Sequence, residues 1–258
     1  MIGCIIQART GSTRFPKKIL NQIDEDCTVL EFLIEQLKIS KKIDKIVIAT
    51  TNLEEDNIIA EYCKKSKIDF FQGDVNDLLD RYYKCAKKFN FDNIIRITSD
   101  CPLMDPYLID DGISKFLEEK CDYLTNSTGS FPHGVDFSIF KFSVLEKTWK
   151  NARLLSEKEH VIPYMEKNEN NFNTIFIKSD KDHSKFRITL DWPDDLELLR
   201  IIVSRINERP ILIENVVKLL DNNLNLLKIN DGHNRDEGYL KSLKNDKISN
   251  QRKIDLNE

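Results

Sequence analysis

The sequence lacks the features that would tie it to a membrane or to a nucleic acid. No apolar run in its 258 residues approaches the roughly 20 residues of a membrane-spanning helix. The N-terminus shows no basic segment followed by a long apolar one, so we expect no secretion signal. Basic residues are not in excess: 39 against 43 acidic ones give a net charge of −4. We therefore expect no binding to nucleic acid or to an anionic membrane, and any anionic substrate must be held by a local cluster of cations.

Paired cysteine motifs and the ATPase phosphate-loop motif are also missing. Six cysteines are scattered over the first half of the chain and none stand in C-x-x-C spacing: Cys4, Cys27, Cys63, Cys85, Cys101 and Cys121. This pattern argues against a zinc site and a disulfide framework, and favours reduced, buried thiols in a cytoplasmic protein. No G-x-x-x-x-G-K-[ST] run occurs, which disfavours a P-loop ATPase.

What the sequence does contain is an alternation of short apolar runs and helical repeats. Strands are predicted at 3–8, 45–50, 69–71, 93–98 and 123–125, and helices at 29–40, 58–65, 78–89 and 107–119. Such alternation predicts an α/β fold with a mostly parallel sheet and helices on both faces. Ligands of such sheets bind at the carboxyl ends of the strands.

The pattern loosens after residue 129. Strands are predicted at 137–142, 172–178 and 185–190, and helices at 145–151, 156–167, 192–205 and 213–220. From residue 228 to 258 polar and charged residues dominate, which predicts a loosely held C-terminal tail. The sequence leaves open whether this tail is disordered or docks on the body or on a partner subunit.

The first candidate site follows the first strand. Residues 7–20 read QARTGSTRFPKKIL, in which a glycine and small hydroxyl residues let backbone N–H groups approach a phosphate. Arg9, Arg14 and Lys18 add positive charge around it, in a protein that is acidic as a whole. A solvated basic loop is the alternative, but the position directly after a buried strand favours binding of a triphosphate.

Two carboxylates stand at the ends of predicted strands far apart in the chain. Asp100 closes the strand at 93–98, where a buried carboxylate needs a cation or a metal partner. Asp191 follows the predicted strand at 185–190. One or two protein carboxylates suffice for a Mg²⁺ ion that bridges phosphates, so the pair predicts a magnesium site. The alternatives are that Asp100 caps the following turn and that Asp191 is a helix N-cap.

Six motifs in order give the chain a family resemblance. They are QARTGSTRFPKK at 7–18, IATT at 48–51, DLLDRYY at 77–83, RITSDCP at 96–102, EHVIPY at 159–164 and RITLD at 187–191. Together they resemble the cytidylyltransferase superfamily that makes CMP-activated sugar acids, such as CMP-Kdo and CMP-sialate synthetases. Within it, the likeness is strongest to the SpsF-type branch of spore-coat polysaccharide biosynthesis.

The resemblance implies a fold, a reaction and an organisation. It implies a Rossmann-like, GT-A-like nucleotidyltransferase domain over 1–227, with an acceptor and dimerisation subregion at 129–165, followed by the polar tail at 228–258. It further implies CTP and a sugar-type acceptor as substrates, Mg²⁺ as cofactor, and a homodimer. Alternatives are the same fold with GTP or UTP and a sugar phosphate, or a non-catalytic nucleotide-binding protein of a glycan assembly system.

The resemblance also assigns residues. Those matched to nucleotide binding are Ala8, Arg9, Gly11, Ser12, Arg14, Lys18, Thr50, Thr51, Gly73, Asp74, Arg81 and Ser99. Those matched to catalysis are Arg9, Lys18 and Asp100, and those matched to the metal are Asp100 and Asp191. Those matched to the acceptor are Gly134, Asp136, Glu159 and His160.

The chain departs from the family pattern at two positions. Lys17 stands where a glycine usually precedes the loop lysine. Ser138 stands where the SpsF-type pattern usually carries an acidic residue after Gly134-Val-Asp136. His133 and His160 are possible general bases, although a hydrogen-bonding role suits each of them better.

Overall fold

A single seven-stranded sheet forms the centre of the computed structural model, which describes residues 1–255, with side chains as far as residue 248. Its strands are β1 (Ile2–Gln7), β2 (Lys45–Thr51), β3 (Asp69–Gly73), β4 (Asn93–Thr98), β5 (Tyr123–Thr125), β6 (Ser138–Lys141) and β7 (Thr174–Phe176). They lie in the order β3-β2-β1-β4-β6-β5-β7. β6 runs antiparallel to both of its neighbours, and every other neighbouring pair is parallel. The predicted mostly parallel α/β sheet is confirmed.

Helices cover both faces of this sheet. They are α1 (Val29–Leu37), α2 (Asn57–Lys65), α3 (Leu78–Lys88), α4 (Pro106–Glu118), α5 (Phe142–Asn151), α6 (Leu155–His160), α7 (Pro163–Lys167), α8 (Pro193–Arg205), α9 (Ile213–Asp221) and α10 (Glu237–Asp255). Adjacent residues of a strand point to opposite faces, so Ile6 packs in one core with Leu33 of α1, while Ile5 packs in the other with Tyr82 of α3. Burial of both faces explains why the strands read as continuous apolar runs.

The helix starts follow local sequence chemistry. α1 begins with a capping box, in which the backbone N–H of Glu31 donates to Thr28 Oγ1 and the Thr28 N–H donates to the Glu31 carboxylate. α4 has Asp105 as its N-cap and Pro106 in its first turn. α8 likewise begins at Pro193, as predicted, because proline lacks the N–H that the first turn of a helix leaves unbonded.

Two predicted elements after residue 129 differ in the structure. The predicted strand at 185–190 does not form: Arg187 makes an isolated bridge with His133, and its neighbours bond to loop carbonyls. Those partners lie on separate segments, so no ladder can propagate. The predicted helix at 156–167 divides into α6 and α7 at Val161, whose φ is 71°. Pro163 explains the break, because proline cannot continue the hydrogen bonding of the preceding turn.

The C-terminal segment docks on the body as far as the structure describes it. α10 packs against α6, and the backbone N–H of Ser156 donates to Asp246 Oδ1 at 3.1 Å. The predicted tail ran to residue 258, and residues 256–258 lie outside the described residues. The boundary at 227 stays a prediction. Among the described helices, none combines the length and the apolar character that crossing a membrane requires.

Candidate active site

The loop after β1 is built around Thr10. Its carbonyl oxygen accepts hydrogen bonds from the backbone N–H groups of Ser12 and Lys17, both at 2.9 Å. Its own N–H and hydroxyl donate to Asp56 Oδ1, at 2.6 and 2.7 Å. Asp56 is buried, and its second oxygen accepts from the Thr51 hydroxyl. The loop is therefore fixed by a carboxylate from the turn after β2, a role that sequence reasoning missed because Asp56 stands among other acidic residues of a polar turn.

Lys18 brings the two predicted metal carboxylates together. Its Nζ lies 2.8 Å from Asp100 Oδ2 and 2.9 Å from Asp191 Oδ1, and it also donates to the Leu190 carbonyl at 2.7 Å. Burial alone would raise the pKa of Asp100, but the Lys18 ammonium outweighs it and holds that pKa below its ordinary value. Residues 18, 100 and 191 thus meet at the carboxyl edge of the sheet, where the sequence predicted the charged loop and Asp100 to lie.

Asp191 is held by further charges. Arg14 Nη2 lies 2.5 Å from Asp191 Oδ1, and Arg187 Nη2 lies 3.6 Å from Oδ2. Arg187 also forms a bidentate pair with the buried Asp195, with both N–O distances at 2.8 Å. Asp195 Oδ2 in turn accepts from the backbone N–H groups of Asp191 and Trp192. The Arg187–Asp195 pair therefore sets the direction of the chain at Asp191.

This donor set fits a divalent cation. Asp100 and Asp191 both bond to one ammonium, so their carboxylates are close enough to share a single ion. The described residues contain no cluster of three or more histidine, cysteine or carboxylate side chains suited to a metal. An ion at this place would take its remaining ligands from phosphate oxygens and water, which is how Mg²⁺ binds in phosphoryl-transfer sites.

The other residues assigned to the nucleotide lie along the same edge. Arg9 and Gly11 are exposed on the β1 loop, and Ser12 Oγ accepts from the N–H of Phe15 at 3.3 Å. Ala8 and Ser99 directly follow β1 and β4, and their N–H groups bond to Ala49 and Gln7. Both N–H groups are therefore engaged within the protein, which leaves the Ser99 hydroxyl as a group that could bond to a ligand.

The ends of β2 and β3 carry the remaining nucleotide residues. Thr50 is buried, and its hydroxyl has no hydrogen-bond partner among the residues that the structure describes. Gly73 ends β3, and Arg81, 2 % exposed, donates from Nη2 to the Asp74 carbonyl at 2.7 Å. Burial, reinforced by Arg9, lowers the pKa of Arg81. The Arg81 side chain thus supports the turn after β3.

Gly134 and Asp136 lie beside the loops that carry Asp100 and Asp191, the two predicted metal ligands. Gly134 has a φ of +117°, and a Cβ atom there would lie 2.6 Å from the Ile188 backbone, so the position requires glycine. Asp136 Oδ1 accepts from Arg235 Nη2 at 2.9 Å. The structure thus gives Gly134 a backbone role and pairs Asp136 with a cation from the C-terminal segment.

The C-terminal segment runs across the site. His233 stacks on Trp192 with ring centroids 4.8 Å apart and bonds to Asp194, and Glu237 lies 3.6 Å from Arg14. Further along, Ser242 Oγ donates to Glu159 at 2.6 Å. It also lies 3.0 Å from His160 Nε2. These contacts connect the predicted acceptor residues of α6 to the phosphate loop, and sequence reasoning missed them because the segment is polar and lacks a clear apolar repeat.

Comparison with known proteins gives a consistent result. The family model for cytidylyltransferases matches residues 3–230. The chain is 37% identical over 228 residues to an uncharacterized protein of Methanocaldococcus jannaschii, covering 88% of this chain and 93% of that one. It is 29% identical over 229 residues to the spore coat polysaccharide biosynthesis protein SpsF of Bacillus subtilis, covering 85% and 93%.

Solved structures and a shorter sequence match agree with this. A cytidylyltransferase from Leptospira borgpetersenii superposes with a TM-score of 0.84 at 36% identity, covering 88% of this chain and 96% of that one. A 3-deoxy-manno-octulosonate cytidylyltransferase of Geobacter sulfurreducens is 28% identical over 119 residues, 45% of this chain and 46% of that one. In every comparison the shared part leaves out at least a tenth of this chain.

Proposed function

Because this chain belongs to the cytidylyltransferase family, we propose that it transfers CMP from CTP to a sugar acid or sugar-phosphate-type acceptor and releases pyrophosphate. We further propose that the reaction requires Mg²⁺ and serves surface glycan biosynthesis, by analogy with the SpsF protein. The observation that carries the proposal is the convergence of Lys18, Asp100 and Asp191 beside a cationic loop at the carboxyl edge of the sheet.

The charges at this edge suit a triphosphate. Arg9 is exposed on the β1 loop, and Arg14 and Lys18 lie with their cationic groups against Asp191. When CTP binds, its phosphate oxygens can replace the carboxylates as the partners of Arg14 and Lys18. Asp100 and Asp191 would then hold Mg²⁺, which neutralises charge on the phosphates and on the departing pyrophosphate.

The transfer itself needs little covalent work from the protein. An oxygen of the acceptor attacks the α-phosphorus, the bond from the α-phosphorus to the oxygen that bridges to the β-phosphorus breaks, and pyrophosphate leaves with the electron pair. Where the attacking oxygen is a hydroxyl, its proton passes to water; a phosphate oxygen carries none. Arg9, Arg14 and Lys18 stabilise the charge that grows on the leaving oxygens, and the rigid Thr10–Asp56 contacts keep the loop in place for them. Positioning therefore accounts for most of the rate.

The test is a matrix of substrates. Purified protein is incubated with MgCl₂, one of CTP, GTP, UTP or ATP, and one member of a panel of sugar acids and sugar phosphates. Pyrophosphate release is followed, and product masses are read by mass spectrometry. We expect release with CTP and one class of acceptor. Release with GTP or UTP instead would overturn the assignment of the base.

Controls separate catalysis from binding. The Asp100→Ala variant should bind CTP in the absence of metal yet release no pyrophosphate. Tight binding of CTP by the wild type without turnover on any acceptor would point to a nucleotide-binding protein and overturn the proposed reaction. We also expect a homodimer that uses the region 129–165, and a monomeric mass in light scattering would contradict it.

A further inference from the structure

A group of polar side chains, called the chamber below, lies on one face of the sheet, beside the phosphate loop. Ile95 and Ile97 of β4 point to the core that contains α1, so Arg96 between them points to the opposite face, toward α3 and α7. On that face the apolar strand residues give way to polar ones near the carboxyl end of β4. The side chains of this group are Arg96, Tyr123, Ser138, His160 and Glu166.

Arg96 has an unsatisfied group in this chamber. Its Nε is buried and has no hydrogen-bond partner among the residues that the structure describes. A buried guanidinium donor without a partner is costly, and proteins rarely retain one without a role. A ligand with an anionic oxygen would satisfy it.

The residue directly across from Arg96 offers no counter-charge. In the β4–β6 ladder Arg96 pairs with Ser138. Ser138 is 1% exposed, and its hydroxyl is engaged with Thr125 Oγ1 at 3.2 Å and lies 3.5 Å from the Tyr123 hydroxyl. The residue paired with Arg96 across the strands is therefore neutral.

The acid in the chamber does not pair with Arg96 either. Glu166 accepts a hydrogen bond from the Tyr123 hydroxyl at 3.2 Å. Burial raises the pKa of Glu166, and the opposing effect of Arg96 does not overcome it. Among the described residues, no hydrogen bond or ion pair joins the carboxyl group of Glu166 to Arg96.

The chamber is close to the reacting end of the nucleotide site. β4 carries Arg96 and ends two residues before Asp100. His160, a predicted acceptor residue of α6, is 24% exposed, and Arg9 of the phosphate loop and Arg96 both add to the effect of burial in lowering its pKa. Both cations are therefore near this predicted acceptor residue.

We propose that Arg96 is a specificity-determining residue that binds an anionic group of the acceptor, a carboxylate or a phosphate other than the attacking oxygen. The proposal rests on the proposed function, since it concerns the acceptor of that reaction. Its physical basis is the buried Nε of Arg96, which has no partner among the described residues, opposite a neutral Ser138. Planar guanidinium groups bind carboxylate and phosphate oxygens in pairs, and such charged hydrogen bonds are the strong ones.

The test adds an acid. Ser138→Glu places a carboxylate opposite Arg96, and Ser138→Gln is its neutral match in size. With the acceptor that the substrate matrix identifies, we expect Ser138→Glu to raise the KM for that acceptor about 10- to 100-fold, with the KM for CTP unchanged. The Ser138→Gln variant, which enlarges the same buried side chain without adding charge, should raise the acceptor KM by a smaller factor.

A second pair of variants covers the case in which the larger side chain at 138 disturbs folding. Arg96→Gln should raise the acceptor KM by a similar factor, and Arg96→Lys, which keeps the charge but loses the planar pair of donors, should have a smaller effect. The sugar-acid and sugar-phosphate arms of the matrix show which anion Arg96 binds. An acceptor KM unchanged in Arg96→Gln, with the wild type active, would overturn this proposal and leave the proposed function intact. A wild type inactive on every acceptor would overturn the proposed function itself.

Discussion

Charged side chains are paired with one another at the carboxyl edge of the sheet beside the phosphate loop, called the edge below, whereas Arg96 in the chamber keeps a donor that is unpaired in the part of the chain that the structure describes. At the edge, Lys18 and Arg14 are paired with Asp100 and Asp191, and the paired groups lie within hydrogen-bonding distance. In the chamber, Arg96 has a buried Nε without a partner among the described residues. A site whose charges neutralise one another is stable before a highly charged ligand and a metal arrive and exchange the partners. A site with one unpaired donor selects a ligand that supplies the single missing group.

Removal of Lys18 should cause the largest loss of activity. Lys18→Met deletes the cation between Asp100 and Asp191 and leaves two carboxylates facing each other. We expect kcat/KM for CTP to fall about 100- to 1000-fold, the usual loss when one charge-stabilising donor is removed. Steady-state pyrophosphate release measures it.

Lys17 supplies the matched control for that variant. It is adjacent in sequence but exposed, and its backbone is in the left-handed conformation with a φ of 56°. Lys17→Met should keep its rate within about threefold of the wild type. Equal losses in the two variants would show that general positive charge on the loop, rather than the Lys18 contacts, drives binding.

The next largest effect concerns the free energy of unfolding, to which the ion pairs at the edge contribute. Asp195→Asn leaves the Arg187 guanidinium, 11% exposed, without its bidentate carboxylate. We expect the free energy of unfolding to drop by about 3 kcal/mol, as is typical when one member of a buried ion pair is removed. Urea denaturation measures the loss. Asp194→Asn, whose partner His233 lies nearer the surface, should lose about 1 kcal/mol or less, and an equal loss in both would contradict a special role for the buried pair.

A smaller effect is expected where the C-terminal segment meets the phosphate loop. Glu237 lies 3.6 Å from Arg14 and both side chains are partly exposed, so the pair contributes little to stability. Glu237 nevertheless competes for Arg14 with the triphosphate of the proposed reaction. We expect Glu237→Gln to bind CTP about two- to fivefold more tightly in calorimetric titration. Asp236→Asn, at an exposed neighbouring acid, is the control. Weaker binding by Glu237→Gln would show that the segment assists the nucleotide instead of competing with it.

The sequence predicts which residues meet at the edge better than it predicts which residues form the chamber, for a physical reason. Strand ends in a parallel sheet meet at one edge, so the positions of the charged loop after β1 and of Asp100 after β4 were enough to predict that both lie at this edge. The same argument does not explain Asp191, because its predicted strand does not form. Its place beside Asp100 depends on the contacts with Lys18 and Arg14.

The chamber depended on strand pairing that local patterns do not specify. β6 inserts between β4 and β5 and runs antiparallel, and only this insertion brings Ser138 opposite Arg96. Ser138 stands out in the sequence as a departure from the family pattern, but the sequence does not show which residue it faces. The docking of α10 was equally hidden, because Ser242 and Asp246 bind through hydrogen bonds in a segment that is otherwise polar.

The smallest predicted effect tests the surroundings of His160. Burial lowers the pKa of His160; Arg96 and Arg9 act in the same direction, and Glu159 opposes them. The unfolded chain therefore takes up a proton at this residue at about pH 6.5, while the folded protein resists it. Stability from this group is present above that pH and is lost as the pH falls below it. Unfolding free energies from urea titrations at pH 7.5, 6.5 and 5.5 should decline less steeply in His160→Gln than in the wild type. Equal slopes would mean that folding does not lower the pKa of His160.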